Sequence, residues 1–365
     1  MTMERECRRI AVKIGSNVLT RADGMLDITR MSALVDQVAA LRSSGVEVIM
    51  ISSGAVASGR SELTGMDARH LDSVEQRQLF SAVGQAKLIN RYYELFREHH
   101  LAVGQVLTMK ENFSTRRHYL NQRGCMEVML GAGVIPIVNE NDTVSVTELM
   151  FTDNDELSGL IATMMHVDAL VILSNIDGIF TGSPSDPGSQ LIDIVDPADD
   201  LTRYISTERS GFGRGGMLTK CGIARKVADE GIEVIIANGK TDNILPRLLL
   251  GVGPEVSCTR FVPRRGQMSS VKRWMAHSAG FAKGSVTLNA RAVEVLTGRD
   301  AVSLLPVGVT AIDGEWEKDD LINIKAPDGR VIGVGRAAYS SDEAAGYCGK
   351  HDCRPLVHYD YLYID

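Results

Sequence analysis

The sequence predicts an α/β protein built on a mainly parallel sheet, followed by a smaller β-rich domain. Up to about residue 255, apolar runs rich in β-branched residues alternate with longer segments of helical periodicity, which is typical of βαβ units. From about residue 270 the pattern changes to short strand-like pieces separated by Gly, Asp and Pro. The length of 365 residues exceeds that of one ordinary domain, so two domains are expected.

Six runs in the first part are predicted to be strands of one sheet because they are apolar, strand-sized and end in small or polar residues. They are residues 10–14, 46–51, 102–108, 134–138, 169–173 and 232–237. A helix is predicted between the first two, where Leu34, Val35, Val38 and Leu41 share one face and Gly45 follows as a C-terminal cap. The Pro- and Gly-containing stretch 250–265 is predicted to interrupt the alternation. Ligands of open α/β sheets bind at the carboxyl ends of the strands, so residues that follow each strand are the first candidates for a site.

Composition excludes several classes of function. The chain has 39 Lys and Arg against 46 Asp and Glu, a net charge of −7. This charge argues against a protein that binds nucleic acid through a strongly positive surface. Neither an export signal nor a membrane span is predicted, because the N-terminus is charged and the apolar runs are strand-sized. Six cysteines without a Cys-x-x-Cys pair predict free thiols and a cytoplasmic location. No metal site is predicted, since the one cluster of candidate ligands, Cys348, His351, Cys353 and His358, has no common zinc spacing.

Two turns at strand ends are suited to phosphate. Lys13 is followed by Gly15 and Ser16, which places a cation beside free backbone N–H groups. Ser53 and Gly54 follow the second strand, where small side chains let a ligand approach the start of the next helix. Each turn, taken alone, is also compatible with an ordinary solvated βα turn.

A group of polar residues follows the fourth strand and continues in the next loop. Its members are Asn139, Glu140, Asn141, Asp142, Asp153, Asn154 and Asp155. So many acceptors behind a buried strand could hold an ammonium group or arrange lysines, and a solvated loop is the alternative interpretation.

The glycine-rich segment 211–220 leads into a helix that is predicted to end near Gly231. It contains G-x-G-x-x-G, but a dinucleotide fingerprint must follow a strand, and residues 201–210 are polar. A Walker A loop is excluded because Met217 rather than lysine follows Gly216. Lys220 lies about one turn into the helix, so the segment favours an anion site over a flexible surface loop.

Two lysines, glycine turns and a carboxylate cluster together favour phosphoryl transfer, in which catalysis is largely positioning and charge neutralisation. The sequence contains no nucleophile elbow, no Ser-His-Asp arrangement and no H-E-x-x-H motif. A carboxylate acceptor is already ionised near neutral pH and needs no protein base, so a carboxylate kinase can dispense with catalytic His and Cys.

With these motifs the chain resembles the glutamate 5-kinases, a family of the amino acid kinase superfamily. The matching segments, in order, are Lys13-Ile14-Gly15-Ser16, Ser53-Gly54-Ala55-Val56, Val138-Asn139-Glu140-Asn141-Asp142, Asp153-Asn154-Asp155-Glu156-Leu157-Ser158 and Gly215-Gly216-Met217-Leu218-Thr219-Lys220. The tail resembles the PUA domain that many bacterial members carry, through Lys272-Arg273-Trp274 and residues 303–308 and 339–342.

The resemblance implies a three-layer αβα sandwich with a mainly parallel sheet over residues 1–260, and a small β-rich PUA-like barrel over residues 271–357. It implies a phosphotransferase that uses ATP with Mg²⁺ to phosphorylate the γ-carboxylate of L-glutamate to γ-glutamyl phosphate, the first step of proline synthesis. Further implications are inhibition by proline, a homo-oligomer (dimer or tetramer), and hand-over of the product to glutamate-5-semialdehyde dehydrogenase. RNA binding is implied only by the name of the tail's fold, and the 11 Lys and Arg against 13 Asp and Glu in residues 271–365 argue against it.

The same resemblance assigns roles to residues. Lys13 and Lys220 would neutralise charge on the transferred phosphoryl group, and Asp155 would hold both lysines in place. The residues that would bind glutamate are Ser53, Asn139, Asp142, Asp153 and Asn154. Those that would bind ATP are Lys13, Gly15, Ser174, Asn175, Gly215, Gly216, Met217, Thr219 and Lys220, and no protein ligand to a metal is assigned.

Two departures from the family pattern bear on these roles. Met150, Phe151 and Thr152 stand where members usually have a basic residue and Phe-Gly or Val-Gly, which bears on substrate affinity. Asn175 stands where Asp is usual, which bears on nucleotide contact. Two alternatives stay open from the sequence: another amino acid kinase acting on acetylglutamate, carbamate or aspartate, and an RNA-binding PUA protein with a degenerate kinase fold.

Overall fold

The computed structural model describes residues 7–66, 70–113, 116–144, 154–183, 186, 188–199, 217–264, 282–298, 302–351 and 353–364. The chain divides into two compact units. One comprises Met1–Lys110 and Gln122–Gly266, and the other comprises Glu111–Asn121 and Gln267–Asp365.

The larger unit is built on an eight-stranded sheet. Its strands are β1 (Arg9–Ile14), β2 (Glu47–Ser52), β3 (Val103–Thr108), β4 (Ile135–Glu140), β5 (Ala169–Ser174), β6 (Ile194–Val195), β7 (Glu233–Asn238) and β8 (Cys258–Phe261). They lie in the order β3-β4-β2-β1-β5-β7-β8-β6. The five pairs from β3 to β7 are parallel, β8 runs antiparallel to β7, and β6 is parallel to β8. The predicted mainly parallel sheet is therefore confirmed.

The six predicted strands correspond to β1 to β5 and β7, each within two residues at either end. The strands β6 and β8 were not predicted. The stretch that the sequence marks as an interruption contains β8, which is only four residues long and includes the polar Thr259 and Arg260. Such a short polar run lacks the apolar signal of a central strand.

The helices of the described chain up to residue 264 fill the connections. They are α1 (Ser16–Leu19), α2 (Ile28–Ser43), α3 (Ala55–Glu62), α4 (Ser73–Arg97), α5 (Arg116–Gly131), α6 (Asn154–Met164), α7 (Met217–Asp229) and α8 (Ile244–Leu249). The long α4 begins with a capping box in which the Asp72 carboxylate accepts from Glu75 N and Glu75 Oε2 accepts from Asp72 N. Gly45, at φ +84°, ends the predicted helix α2.

Helices cover both faces of the sheet, as an αβα sandwich requires. Val12 and Ile14 of β1 pack in one core with residues of α2, α4 and α8. Helices α6 and α7 contact each other, and α6 packs on β1 and β5. Successive side chains of a strand point to opposite faces. Lys13, between Val12 and Ile14, therefore faces the α6 side.

Two glycines let α3 and α4 approach each other closely. A Cβ atom on Gly84 would lie 1.8 Å from the carbonyl oxygen of Ala55, and one on Gly59 would lie 1.9 Å from that of Phe80. Any larger residue would push the helices apart, so this contact fixes the position of α4.

The smaller unit contains a five-stranded sheet in the order β10-β9-β11-β12-β13. Its elements are β9 (Gly284–Leu288), α9 (Ala290–Leu296), β10 (Val309–Gly314), β11 (Leu321–Lys325), β12 (Val331–Arg336), α10 (Ser341–Tyr347) and β13 (Leu362–Ile364). Only β9 and β11 pair in parallel. Its core includes the buried Trp316, whose Nε1 donates to the carbonyl of Tyr339 at 3.2 Å. The β-rich tail is confirmed.

Candidate active site

The carboxyl ends of β2, β1 and β5 meet at one edge of the sheet, since these strands are neighbours and parallel. Lys13 is the penultimate residue of β1, and it pairs in register with Ile51 and Ile172. Its side chain is almost completely buried. A buried lysine at this edge requires a charged partner.

The partner is Asp155, the second residue of α6, whose carboxylate bridges two lysines. Lys13 Nζ contacts Asp155 Oδ1, and Lys220 Nζ lies 2.7 Å from Asp155 Oδ2. Lys220 belongs to the first turn of α7, so three separate elements deliver one Lys-Asp-Lys cluster. Burial by itself would raise the pKa of Asp155, but the charges of the two lysines outweigh burial and lower it from 3.8 to about 2. The carboxylate is therefore ionised throughout the neutral range.

Gly15 keeps the space beside this cluster open. Its N–H donates to the carbonyl of Leu173 at 3.0 Å. A Cβ atom at this position would lie 3.0 Å from that oxygen and 3.8 Å from Lys13 Nζ. A larger residue would crowd the lysine ammonium, so the glycine lets a ligand come close to it.

A second network joins residues predicted to bind glutamate. Asn154 Nδ2 lies 3.1 Å from the carbonyl oxygen of Ser52, 3.1 Å from Ser53 Oγ and 3.2 Å from Asn139 Oδ1. Asn154 directly precedes Asp155, so this polar network adjoins the lysine cluster. Ser52 is held in turn by Tyr92 of α4, whose buried hydroxyl lies 2.8 Å from Ser52 Oγ.

Asp142 lies in a carboxylate cluster rather than in that network. Arg77 Nη2 of α4 donates to Glu140 Oε2 at 2.7 Å and also contacts Asp142 Oδ1. Ser81 Oγ donates to Asp142 Oδ2 at 3.1 Å. The side chains of Glu140 and Asp142 are almost inaccessible to solvent.

A cavity of about 200 Å³ opens beside this cluster, between α4 and the ends of β3 and β4. Gln85, Ser81, Glu140, Asp142 and Thr143 are among the residues that line it. A lining of carboxylates, an amide and hydroxyls suits a small ligand that carries both charges.

The predicted nucleotide residues at the end of β5 lie on the neighbouring strand. The carbonyl of Ser174 accepts from Gly239 N at 2.8 Å, and Ser174 Oγ lies 3.5 Å from Asn175 Oδ1. Met217 and Thr219 lie with Lys220 in the first turn of α7. Asp153, Gly215 and Gly216, like the departures Met150, Phe151 and Thr152, lie outside the described residues.

Reasoning from motifs missed the contribution of α4. Arg77, Ser81 and Gln85 are spaced four residues apart, so they share one face of the helix. This polar stripe in an otherwise amphipathic helix is the signal that could have identified them. It lies far from every glycine or carboxylate motif in the sequence.

Two other kinds of site are absent from the described part of the chain. No group of three or more His, Cys, Asp or Glu residues there is arranged to hold a metal ion. No helix there has the length and apolarity needed to cross a membrane.

Comparison with known proteins identifies relatives over the whole chain. Residues 8–238 match the model of the amino acid kinase family, and residues 284–358 match that of the PUA domain. The glutamate 5-kinase of Bacteroides thetaiotaomicron is 66% identical over 363 residues and is covered over 100% of both chains. That of Chlorobaculum tepidum is 46% identical, with 98% of this chain and 97% of the relative covered.

One solved structure supports the fold independently of close sequence similarity. A carbamate kinase from Giardia lamblia bound to AMP-PNP aligns with a TM-score of 0.53 at 14% identity, covering 71% of this chain and 99% of that one.

Proposed function

The chain belongs to the glutamate 5-kinases within the amino acid kinase family, and from this membership we propose that it transfers the γ-phosphoryl group of ATP to the γ-carboxylate of L-glutamate. A carboxylate oxygen attacks the γ-phosphorus, the bond to the β,γ-bridging oxygen breaks, and ADP leaves with that oxygen. The products are γ-glutamyl phosphate and ADP. No proton is transferred to a protein base, because the attacking carboxylate is already ionised.

The observation that carries the proposal is the bridging of Lys13 and Lys220 by one buried carboxylate, Asp155. Two ammonium groups and one carboxylate leave a net positive charge where the transferred group, bearing three oxygens, needs neutralisation. Because Asp155 is fixed at the start of α6, the lysines need little rearrangement when the charge develops. Asp155 acts through the lysines and is a positioning residue in this scheme.

We assign the glutamate to the region between the lysine cluster and the cavity beside α4. Ser53, Asn139 and Asn154 form one hydrogen-bonded network that adjoins Asp155 through the peptide bond of Asn154. Asp142, in the cavity wall, would take the α-ammonium group, and Asp153 is proposed as a further glutamate residue from the family pattern. The γ-carboxylate would then point toward the lysines.

We assign ATP to the other side of the lysine cluster. Ser174 and Asn175, at the end of β5, would contact the nucleotide with Gly15, Gly215, Gly216, Met217 and Thr219, and Lys13 and Lys220 would contact its phosphates. Mg²⁺ would enter bound to the phosphates as part of the nucleotide substrate and would neutralise part of their charge.

The chemistry of the product supports a place in proline synthesis. An acyl phosphate is an activated mixed anhydride, so the next enzyme must consume it quickly. Reduction by glutamate-5-semialdehyde dehydrogenase would do so, and the kinase step would be the first of the route. Proline carries the same α-carboxylate and α-nitrogen as glutamate, so it would compete for the same cavity and act as a feedback inhibitor.

The remaining assignments rest on the family and the composition. We propose residues 1–260 as the kinase domain and residues 271–357 as the PUA-like domain, a dimer or tetramer as the assembly, and the cytoplasm as the location. All six cysteines are free thiols, which suits a reducing compartment. RNA is not proposed as a partner because the tail has no excess of basic residues.

A panel of acceptors tests the function. The protein is incubated with ATP, Mg²⁺, hydroxylamine and one acceptor at a time: L-glutamate, N-acetylglutamate, L-aspartate or carbamate. Hydroxamate from L-glutamate is expected, and its yield should fall when proline is added. Hydroxamate from N-acetylglutamate or L-aspartate without any from glutamate would overturn the assignment. ATP turnover that occurs with carbamate and with no other acceptor of the panel would overturn it too.

A further inference from the structure

Gln85 of α4 reaches both the amide network and the cavity. Only 8% of the residue is exposed, and it forms part of the cavity wall. Gln85 Oε1 accepts from Asn139 Nδ2 at 2.8 Å. Glu140 also lines the cavity and bonds to Asn139, but through its backbone N–H, whereas Gln85 does so through its side chain.

The backbone fixes which way round these amides lie. The N–H of Glu140 can only donate, and it lies 2.9 Å from Asn139 Oδ1, so this end of the Asn139 amide must be its oxygen. Asn154 Nδ2 points at the same oxygen and also at the carbonyl of Ser52, which can only accept. The Asn139 NH₂ group therefore faces Gln85, and the atom that meets it must be the Gln85 oxygen.

The other end of the Gln85 amide is consequently its NH₂ group. Gln85 Nε2 has no hydrogen-bond partner among the described residues, and Gln85 forms part of the cavity wall. A donor that lies beside a cavity and has no protein partner is available to a ligand in that cavity. The same cavity wall carries the Asp142 carboxylate, which suits a cation but repels an anion.

We propose that Gln85 is a specificity-determining residue whose Nε2 donates a hydrogen bond to the α-carboxylate of the substrate, while its Oε1 holds the amide of Asn139. This inference rests on the proposed function, which puts the γ-carboxylate at the lysine cluster and so leaves the α end of the amino acid for the cavity. The pair of Gln85 and Asp142 then recognises the two charges of an α-amino acid. A ligand that lacks the α-carboxylate loses only the contact with Gln85 and keeps the contact with Asp142.

Two substitutions separate the two ends of the amide. Gln85→Glu keeps an acceptor of the same size for Asn139 Nδ2, but it replaces the donor by a carboxylate. Gln85→Met keeps the approximate volume and removes both hydrogen bonds. Asn90→Asp is the charge control, because Asn90 lies on the same helix, is exposed to solvent and is not among the residues that line the cavity.

The experiment measures KM for L-glutamate, KM for ATP and kcat for each protein by the hydroxamate assay, and repeats the series with 4-aminobutyrate, which is glutamate without its α-carboxylate. For Gln85→Glu we expect KM for glutamate to rise about 10- to 100-fold, the range for a charge-assisted hydrogen bond, with KM for ATP and kcat within about threefold. The specificity constant for 4-aminobutyrate, or its inhibition constant where turnover is too slow, should change less than about threefold. Gln85→Met should also lower kcat, because Asn139 loses its acceptor. Asn90→Asp should change KM for glutamate less than about threefold.

Two results would overturn the role of Gln85: an unchanged KM for glutamate in Gln85→Glu, or equal losses for glutamate and 4-aminobutyrate. A parallel rise in both KM values with a lower melting temperature would show a merely structural role. Failure of the proposed function is recognised separately, since the unsubstituted protein would then form no hydroxamate from glutamate.

Discussion

Lys220 of α7 places its ammonium nitrogen 2.7 Å from Oδ2 of Asp155, while Oδ1 of the same carboxylate contacts Lys13 of β1. The carboxylate is completely buried, and the two lysine side chains are 6% and 14% exposed for Lys13 and Lys220. A buried carboxylate that serves two cations keeps both at fixed positions. The cluster is therefore preorganised for an anionic group that approaches the lysines.

Asp155→Asn should abolish this preorganisation without changing the size of the side chain. We expect kcat to fall by about 100-fold or more, comparable to the loss of a preorganised electrostatic contact to a transition state, with a smaller change in KM for glutamate. Steady-state kinetics with varied glutamate and ATP measures both. The matched control is Glu156→Gln, which neutralises the adjacent carboxylate, a partly exposed partner of Lys110. A control that loses as much activity as Asp155→Asn would contradict the assignment.

The lowered pKa of Asp155 predicts a loss of stability in acid. Its pKa in the folded protein is about 2, below the 3.8 of an unperturbed aspartate. The contribution of ionised Asp155 to the free energy of unfolding is therefore complete above about pH 4, and it is lost as the pH falls through 2. Urea unfolding of the wild type and of Asp155→Asn between pH 6 and pH 2 measures it. Relative to the variant, the wild type should lose about 2 kcal/mol over this interval. A difference that stays constant with pH would show that Asp155 does not titrate in this way.

Asp142→Asn should remove the contact to the α-ammonium group of glutamate and leave the other contacts to the substrate in place. Glutarate, which is glutamate without its amino group, provides the comparison. We expect the specificity constant for glutamate to fall about 10- to 100-fold in the variant, while that for glutarate stays within about threefold. Because Arg77 and Ser81 also contact Asp142, the melting temperature is measured alongside. Equal losses for the two acceptors would mean that Asp142 shapes the cavity without meeting the amino group.

Much of the fold follows from periodicity. The six apolar runs give β1 to β5 and β7 because a central parallel strand is buried on both faces and is apolar throughout. The alternation in β1 also explains why Lys13 faces α6. The strand β8 escaped prediction because it is short and contains Thr259 and Arg260.

The site could be predicted only in part. The residues at strand ends stand out locally, but the meeting of Asp155 with Lys220 depends on where α6 and α7 pack, which spacing along the chain does not encode. The pairing of Gln85 with Asn139 likewise depends on how α4 lies against the end of β4. Gln85 sits in a helix without any glycine-rich or carboxylate-rich motif, so only the fold brings it to the site.

Gly84→Ala tests whether the contact of α3 with α4 positions the substrate side of the site. The new Cβ would lie 1.8 Å from the carbonyl oxygen of Ala55 and 2.3 Å from Gly59 N, both backbone atoms that cannot turn away. We expect a loss of about 3 kcal/mol in the free energy of unfolding, at the upper end for overpacking. Gly124→Ala is the control: no atom lies within 4 Å of the position that a Cβ would take on this exposed glycine of α5, so alanine should stabilise by about 0.5 to 1 kcal/mol.

Gly84→Ala is also expected to change the kinetics of those molecules that still fold. Displacement of α4 moves Gln85, Ser81 and Arg77 together, whereas Lys13 and Lys220 belong to β1 and α7. KM for glutamate should therefore rise at least about fivefold while KM for ATP stays within about twofold, measured below the melting temperature. Unchanged stability would refute the close helix contact, and equal changes in the two KM values would refute the assignment of α4 to the glutamate side.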